Sequence, residues 1–251
     1  MKFIYLIVFI FVFLNSEMRA QVIGGTEVKL AKLYNSGKYE SCLYKAENLT
    51  FKEDHKRDPE PYLYMAMCFY ELANSPDEYI REDYKDGLKQ AVKSTAKFIK
   101  KDKKGEMYND NIEFVNKVRK AQFDIIDNYF KNEEYRKAAT ASKSYSKLNR
   151  EPDYCILYFR GISEVLSNNI SQGNRDISDA TDKINEGVFN IDKIFKPLIS
   201  TSIIKFSEYL VGENKKDEAL KNIILGKKIL PNDGYLDVTY NMIKKNTSSD
   251  N

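Results

Sequence analysis

Three times in this chain a large residue is followed nine positions later by a small one, with a turn between them. Leu33 leads to Cys42, Tyr129 to Ala138 and Leu210 to Ala219. Within one helix, neighbours on a face lie three or four residues apart. A fixed offset carried across a turn therefore describes two helices that meet at a constant crossing. The small residue lets the backbones approach, and the large one fills the groove beside it. A chain that repeats this unit stacks antiparallel helix hairpins side by side, each covering an apolar face of the next.

The rest of the pattern agrees. Proline and glycine are sparse, at six and eleven, and fall at joints such as Gly37, Pro76, Gly105, Pro152, Gly187 and Pro231. Between the joints, apolar residues recur at helical spacing, as in Ile112, Val115, Val118, Phe123, Ile126 and Phe130. No run alternates apolar and polar residues between hairpin turns, so the fold class is all-α. The spacing predicts five hairpins: 27–36 with 39–52, 61–74 with 84–101, 111–131 with 134–148, 153–167 with 175–185, and 192–211 with 216–230. A lone capping helix over 234–245 follows, and 246–251 reads as a disordered polar tail. Ser75 and Asp77 flank Pro76 as at a helix start, inside a long connection. Residues 168–174 read as a polar loop.

These residues resemble the tetratricopeptide repeat family. Its signature places W-x2-L-G-x2-Y on a first helix, A-x3-F on a second and a proline at the exit. The fifth unit fits in register with Ile203, Phe206, Ser207, Leu210, Ala219, Ile223 and Pro231. The third supplies Gln122, Ile125, Ile126, Tyr129, Ala138 and Ser142. The second and fourth begin well, at Tyr62, Met65, Ala66 and Phe69 and at Leu157, Arg160 and Gly161. They reach Ala91 and Ala180 late, as though each hairpin carried an insertion. Successive anchors lie about 40–49 residues apart against about 34 in the family. The resemblance implies a right-handed α-solenoid of about five hairpins over 27–245, with a terminal cap. The same residues also suit an irregular up-down bundle, and the long period suits a HEAT-like array of helix pairs.

The start of the chain has a different character. Lys2 precedes an unbroken apolar run from Phe3 to Leu14, then a polar stretch and Ala20. This pattern predicts a secretory signal peptide over 1–20, followed by a flexible start at 21–26. The run is shorter than the ~20 residues of a membrane span, so no stable membrane insertion is expected after cleavage. No cysteine follows until Cys42, which argues against a lipid anchor. The signal with a Lys-, Asn- and Tyr-rich mature chain is similar to exported proteins of Bacteroidota. That resemblance implies a periplasmic or envelope location.

Chemistry-bearing patterns are few. Formal charge is +3; removing 1–20 takes away two positives and one negative, leaving +2. Such balance argues against a nucleic-acid binder. Cys42, Cys68 and Cys155 lie far apart within apolar helical patterns and read as small buried hydrophobes. The one histidine, His55, lies in the charged stretch 52–58 and reads as solvated loop, which leaves no metal site, no cofactor and no catalytic triad. The basic run 97–104 closes a helix, where positive charge complements the dipole, with a membrane or acidic-partner patch as the alternative.

Eighteen tyrosines and fourteen phenylalanines remain to be placed. In the family, first helices line the concave face where partner segments dock. The resemblance thereby assigns a partner-binding face to Tyr34, Tyr64, Met67, Tyr70, Phe123, Asp127, Phe130, Tyr158 and Ile162. At least half of the tyrosines are expected in the core between repeats. The function expected is a non-enzymatic scaffold that binds another protein or a peptide segment. The alternative is a helical-repeat protein that binds a small ligand or a glycan on the same face.

Overall fold

The computed structural model describes residue 22 and residues 24–248. The expected signal peptide lies outside the described residues. Among them are thirteen α-helices, two 3₁₀ turns and no strand. The first hairpin joins α1 (Val28–Asn35) to α2 (Tyr39–Thr50). The second joins α3 (Glu60–Ala73) to α5 (Gly87–Lys101) across the short α4 (Glu78–Asp83). After α6 (Glu106–Asp110) come the long α7 (Ile112–Lys131) and α8 (Tyr135–Ser146). The fourth hairpin is α9 (Tyr154–Leu166) with α10 (Ile170–Asn185), and the fifth is α11 (Lys196–Gly212) with α12 (Lys216–Ile229). The last helix, α13 (Gly234–Ser248), runs three residues into the segment expected as a tail.

Four of the five hairpins turn on one device. Gly37, Glu133, Asn168 and Asn214 hold φ of 72°, 59°, 65° and 60°, the left-handed conformation that ends a helix. At each, the following N–H reaches back five residues: Lys38 to Leu33 O, Glu134 to Tyr129 O, Asn169 to Glu164 O and Lys215 to Leu210 O. The left-handed residue itself donates three residues back, to Tyr34, Phe130, Val165 and Val211. This double bond satisfies carbonyls that a helix end otherwise leaves open. The large member of each nine-residue pair is the carbonyl acceptor of the long bond.

That geometry corrects the reading of the fourth unit. Glu164 occupies the acceptor position, so the small partner nine residues on is Gly173, not Ala180. Residues 170–174 are the first turn of α10 rather than a loop, and no insertion exists. Gly161 and Gly173 let α9 and α10 touch: a Cβ on Gly173 would lie 2.6 Å from Gly161 O and 2.8 Å from Val165 N. Equivalent close approaches recur twelve residues apart elsewhere. Cys42 Sγ lies 3.5 Å from Leu30 O and Ser207 Oγ 3.4 Å from Ala219 O. The second hairpin alone keeps its insertion. Asp77 caps α4 by accepting the Tyr79 N–H at 2.9 Å, as its place after Pro76 predicted.

Helices pack against their neighbours in the chain. The contacts of α3 are chiefly with α2 and α5, those of α9 with α10, α8 and α11, and those of α12 with α11 and α13; Tyr158 on α9 also reaches Asn222 on α12, and Phe195 packs on Phe123 of α7 and Tyr145 of α8. The interior divides accordingly. One cluster gathers Leu30, Leu63, Met67, Phe98, Val115 and Leu148; the other gathers Ile126, Phe159, Phe195, Ile199, Ile203 and Ile223. Helix α7 bridges them, with Val115 and Val118 in the first and Ile126 and Phe130 in the second. Between those pairs sits Gln122, buried, donating from Nε2 to Ala141 O at 2.9 Å.

Val22 and residues 24–26 lie against the fold. Val22 is buried. The Thr26 and Glu27 N–H groups donate to the two oxygens of the buried Glu60 carboxylate at 2.8 and 2.9 Å. A charge taken out of water requires such partners, and Glu60 finds them in the Thr26 and Glu27 backbone.

Candidate functional site

Six of the nine residues assigned to a binding face are interior. Tyr34, Tyr64, Met67, Phe130, Tyr158 and Ile162 are each at most 4% exposed and hold helices together; Tyr34 and Met67 also line a cleft of about 900 Å³, and Tyr158 one of about 470 Å³. Tyr34 donates to Glu71 Oε1 at 3.1 Å and its ring meets Tyr39 and Tyr64. The Tyr158 hydroxyl donates to Asn222 Oδ1, and the Phe130 ring packs on Tyr135 and Phe159. Burial and the Glu71 carboxylate push the Tyr34 hydroxyl well above the usual phenol range. Tyr70, Phe123 and Asp127 stay partly exposed. Tyr70 packs edge-on to Phe114 and Phe123 to Phe195, while Asp127 pairs with Lys131 at 2.6 Å. The nine do not form one surface.

One open surface lies where the two core clusters meet. A cleft of about 1090 Å³ runs between α5, α7 and α8. Its floor is apolar, with Leu88 and Val92 from α5, Ile125 and Tyr129 from α7, and Ala141 from α8. Two grooves continue it. One of about 790 Å³ shares Leu88, Ile125 and Tyr129 and reaches Tyr70 on α3. Another of about 730 Å³ shares Val92, Lys93 and Ser144 and follows α5 to its end. The polar Gln122 lies at the cluster boundary and lines this seam.

Charge is unevenly placed along it. Lys89, Lys93, Lys97 and Lys100 recur at helical spacing on the exposed edge of α5. Lys103, Lys147 and Arg150 close the far end. The acids of the cleft are already matched within the fold: Glu133 with Lys205 at 2.7 Å, Glu134 with Lys137, and Asp86 with Lys89 at 4.0 Å. Among the described residues Lys93, Lys100, Lys103 and Lys147 have no such carboxylate, and Lys97 lies over the Tyr62 ring at 5.8 Å. The seam is thus apolar below and positive above. Its sequence signal was present in α5, where lysines four apart flank Leu88, Val92 and Ala96. The run 97–104, read by itself, hid the upstream half.

His55 is not the solvated residue its neighbours suggested. It stands on a 3₁₀ turn, Glu53–His55, with Nδ1 at 3.2 Å from Asp58 Oδ2 and 3.7 Å from Glu27 Oε1. These three side chains form a group whose ligand-type atoms all lie within 4.8 Å. Each is only 22–28% exposed. Cys42, Cys68 and Cys155 are free thiols, all buried, as their apolar surroundings predicted.

Taken together these features define an all-α protein of stacked helix hairpins, an architecture compatible with a non-catalytic, protein-interacting role. No helix among the described residues is long and apolar enough to cross a membrane. No family model matches the chain, and no curated protein matches it.

Proposed function

We propose that this chain is a non-enzymatic interaction scaffold, a right-handed solenoid of tetratricopeptide-like hairpins acting in the periplasm or at the cell envelope. The repeated left-handed turn and the heavy packing between helices close in the chain support the solenoid. The signal-like start supports the location. The observation that carries the function is the open seam along α5. Its apolar floor and unmatched lysines suit an amphipathic partner segment with acidic residues beside its apolar anchors, bound as a helix laid in a groove. Burial of the anchors supplies affinity, and the lysines supply orientation and salt-sensitive attraction. A glycan-binding reading has weaker support, because most aromatic rings are occupied in the core.

The test is fluorescence anisotropy with a labelled amphipathic peptide bearing Glu between Leu and Phe anchors, against the same peptide with Lys for Glu. The acidic peptide binds and weakens with added salt, since exposed charges are screened. Changing Lys93, Lys97 and Lys100 together to Glu abolishes binding while far-UV circular dichroism stays unchanged. Equal affinity for both peptides, or indifference to the triple change, would refute the assignment of the seam.

A further inference from the structure

We propose that Glu27, His55 and Asp58 form a zinc-class divalent cation site that staples the N-terminal segment to the start of α3. One imidazole nitrogen and two carboxylate oxygens are a donor set that zinc accepts, with water completing a tetrahedron. The spacing suits it. Zinc holds N and O ligands at about 2.0–2.2 Å, so tetrahedral ligand atoms sit about 3.3 Å apart. The observed separations from His55 Nδ1 are 3.2 and 3.7 Å, close to that spacing, and all three ligand atoms lie within 4.8 Å of one another.

The supporting shell is already built. The Asp58 carboxylate accepts the Glu60 N–H on Oδ1 at 2.9 Å, which turns Oδ2 toward His55. The Asp58 N–H donates to His55 O at 3.1 Å. Lys101 reaches from α5 to Lys56 O at 2.8 Å and pins the same loop from outside. Glu27 is fixed by its own N–H on Glu60 Oε1 at 2.9 Å. Ligands held by second partners in this way lose little entropy on binding. The three come from separate places, the start of α1 and two points in the loop before α3. An ion here would therefore cross-link residues 22–27 to the body of the fold. The site shares no residue with the seam along α5, so it stands or falls independently of the partner reading.

The test uses the untagged full chain titrated with Co²⁺, then with Zn²⁺. Cobalt gives a visible d–d band at one equivalent, zinc displaces it, and zinc raises the melting temperature to a plateau, as a ligand of the native state must. His55→Gln and Asp58→Asn each weaken binding by more than about 10-fold, the least that even an outer-shell change costs. Amide exchange at Val22 and at 24–27 slows with zinc in the wild type and in neither variant. Both side chains are partly exposed, so both variants fold, which circular dichroism checks. Binding of several weak equivalents, no cobalt band, or affinity unmoved by His55→Gln would overturn the site. A melting temperature unmoved by zinc would likewise overturn it.

Discussion

Small residues at helix crossings do measurable work in this fold, and Gly173 is the clearest case. A methyl group there would press on Gly161 O at 2.6 Å, Val165 Cγ2 at 2.6 Å and Val165 N at 2.8 Å. Two of those atoms are backbone and cannot swing aside. Gly173→Ala gains about 1 kcal/mol of helix propensity but incurs the overpacking cost of about 1–3 kcal/mol or more. Here overpacking prevails, and we expect a net loss of about 2 kcal/mol in urea unfolding. Gly212 is the internal control. It ends α11 with nothing within 4 Å of an added Cβ, so Gly212→Ala should be neutral or stabilising by up to about 1 kcal/mol. Equal effects at the two positions would remove the crossing argument. Glu164 shows why sequence reading misplaced this unit. The acceptor position needs only a carbonyl, so a charged side chain serves as well as Leu or Tyr and breaks the apolar-to-small pattern.

At the scale of elements, the caps set the pH response. Asp153 caps α9, accepting the Ile156 N–H at 3.0 Å. Burial pushes its carboxyl up from 3.8 to about 6, with a smaller push from Asp192; the N–H groups of Ile156 and Cys155 and the charge of Arg119 pull the other way. Tyr145 also faces the group, donating to Asp192 Oδ2 at 3.3 Å. The folded state therefore holds this proton more tightly than the unfolded chain. The resulting stability is complete below about pH 4 and is lost as pH rises through about 6. Asp153→Asn keeps an oxygen for the cap and removes the buried charge. It should raise stability at pH 7 by on the order of 1–2 kcal/mol and flatten the change between pH 4 and 6, as read by thermal melts across that range. A variant less stable at pH 7 would show that the carboxylate charge is needed by the helix. Most element positions were legible in the sequence because amphipathic period and joint residues coincide. The short α4 and α6 were not assigned, since five or six residues carry too little periodicity. The binding face was illegible for a different reason. Period places Tyr34, Tyr64 and Tyr158 on first helices, but which side of a helix its neighbours cover is decided by packing.

Across the whole molecule, the division of the interior into two apolar clusters predicts that stability is not shared evenly. Phe195 lies at the centre of the second cluster, fully buried, with ring centroids of Tyr145, Phe123 and Phe159 at 4.7, 4.9 and 6.5 Å. Removing that ring costs about 3–5 kcal/mol where the site cannot collapse. In a domain with one core, such a loss lowers protection everywhere. In a stacked array each hairpin depends on its own stability and on its immediate interfaces. Phe195→Ala should therefore lower native-state amide protection in α9 to α12 by about that amount, while α2 and α3 keep theirs. Urea transitions followed in the two halves should separate. Helix α7 decides how far the loss spreads, because it contributes to both clusters and carries the polar Gln122 between them. Protection at Val115 should then follow α3, and protection at Ile126 should follow α9. If α3 and α9 lose protection equally, the two clusters act as one cooperative core, and the seam along α5 is no weaker than the helices it separates.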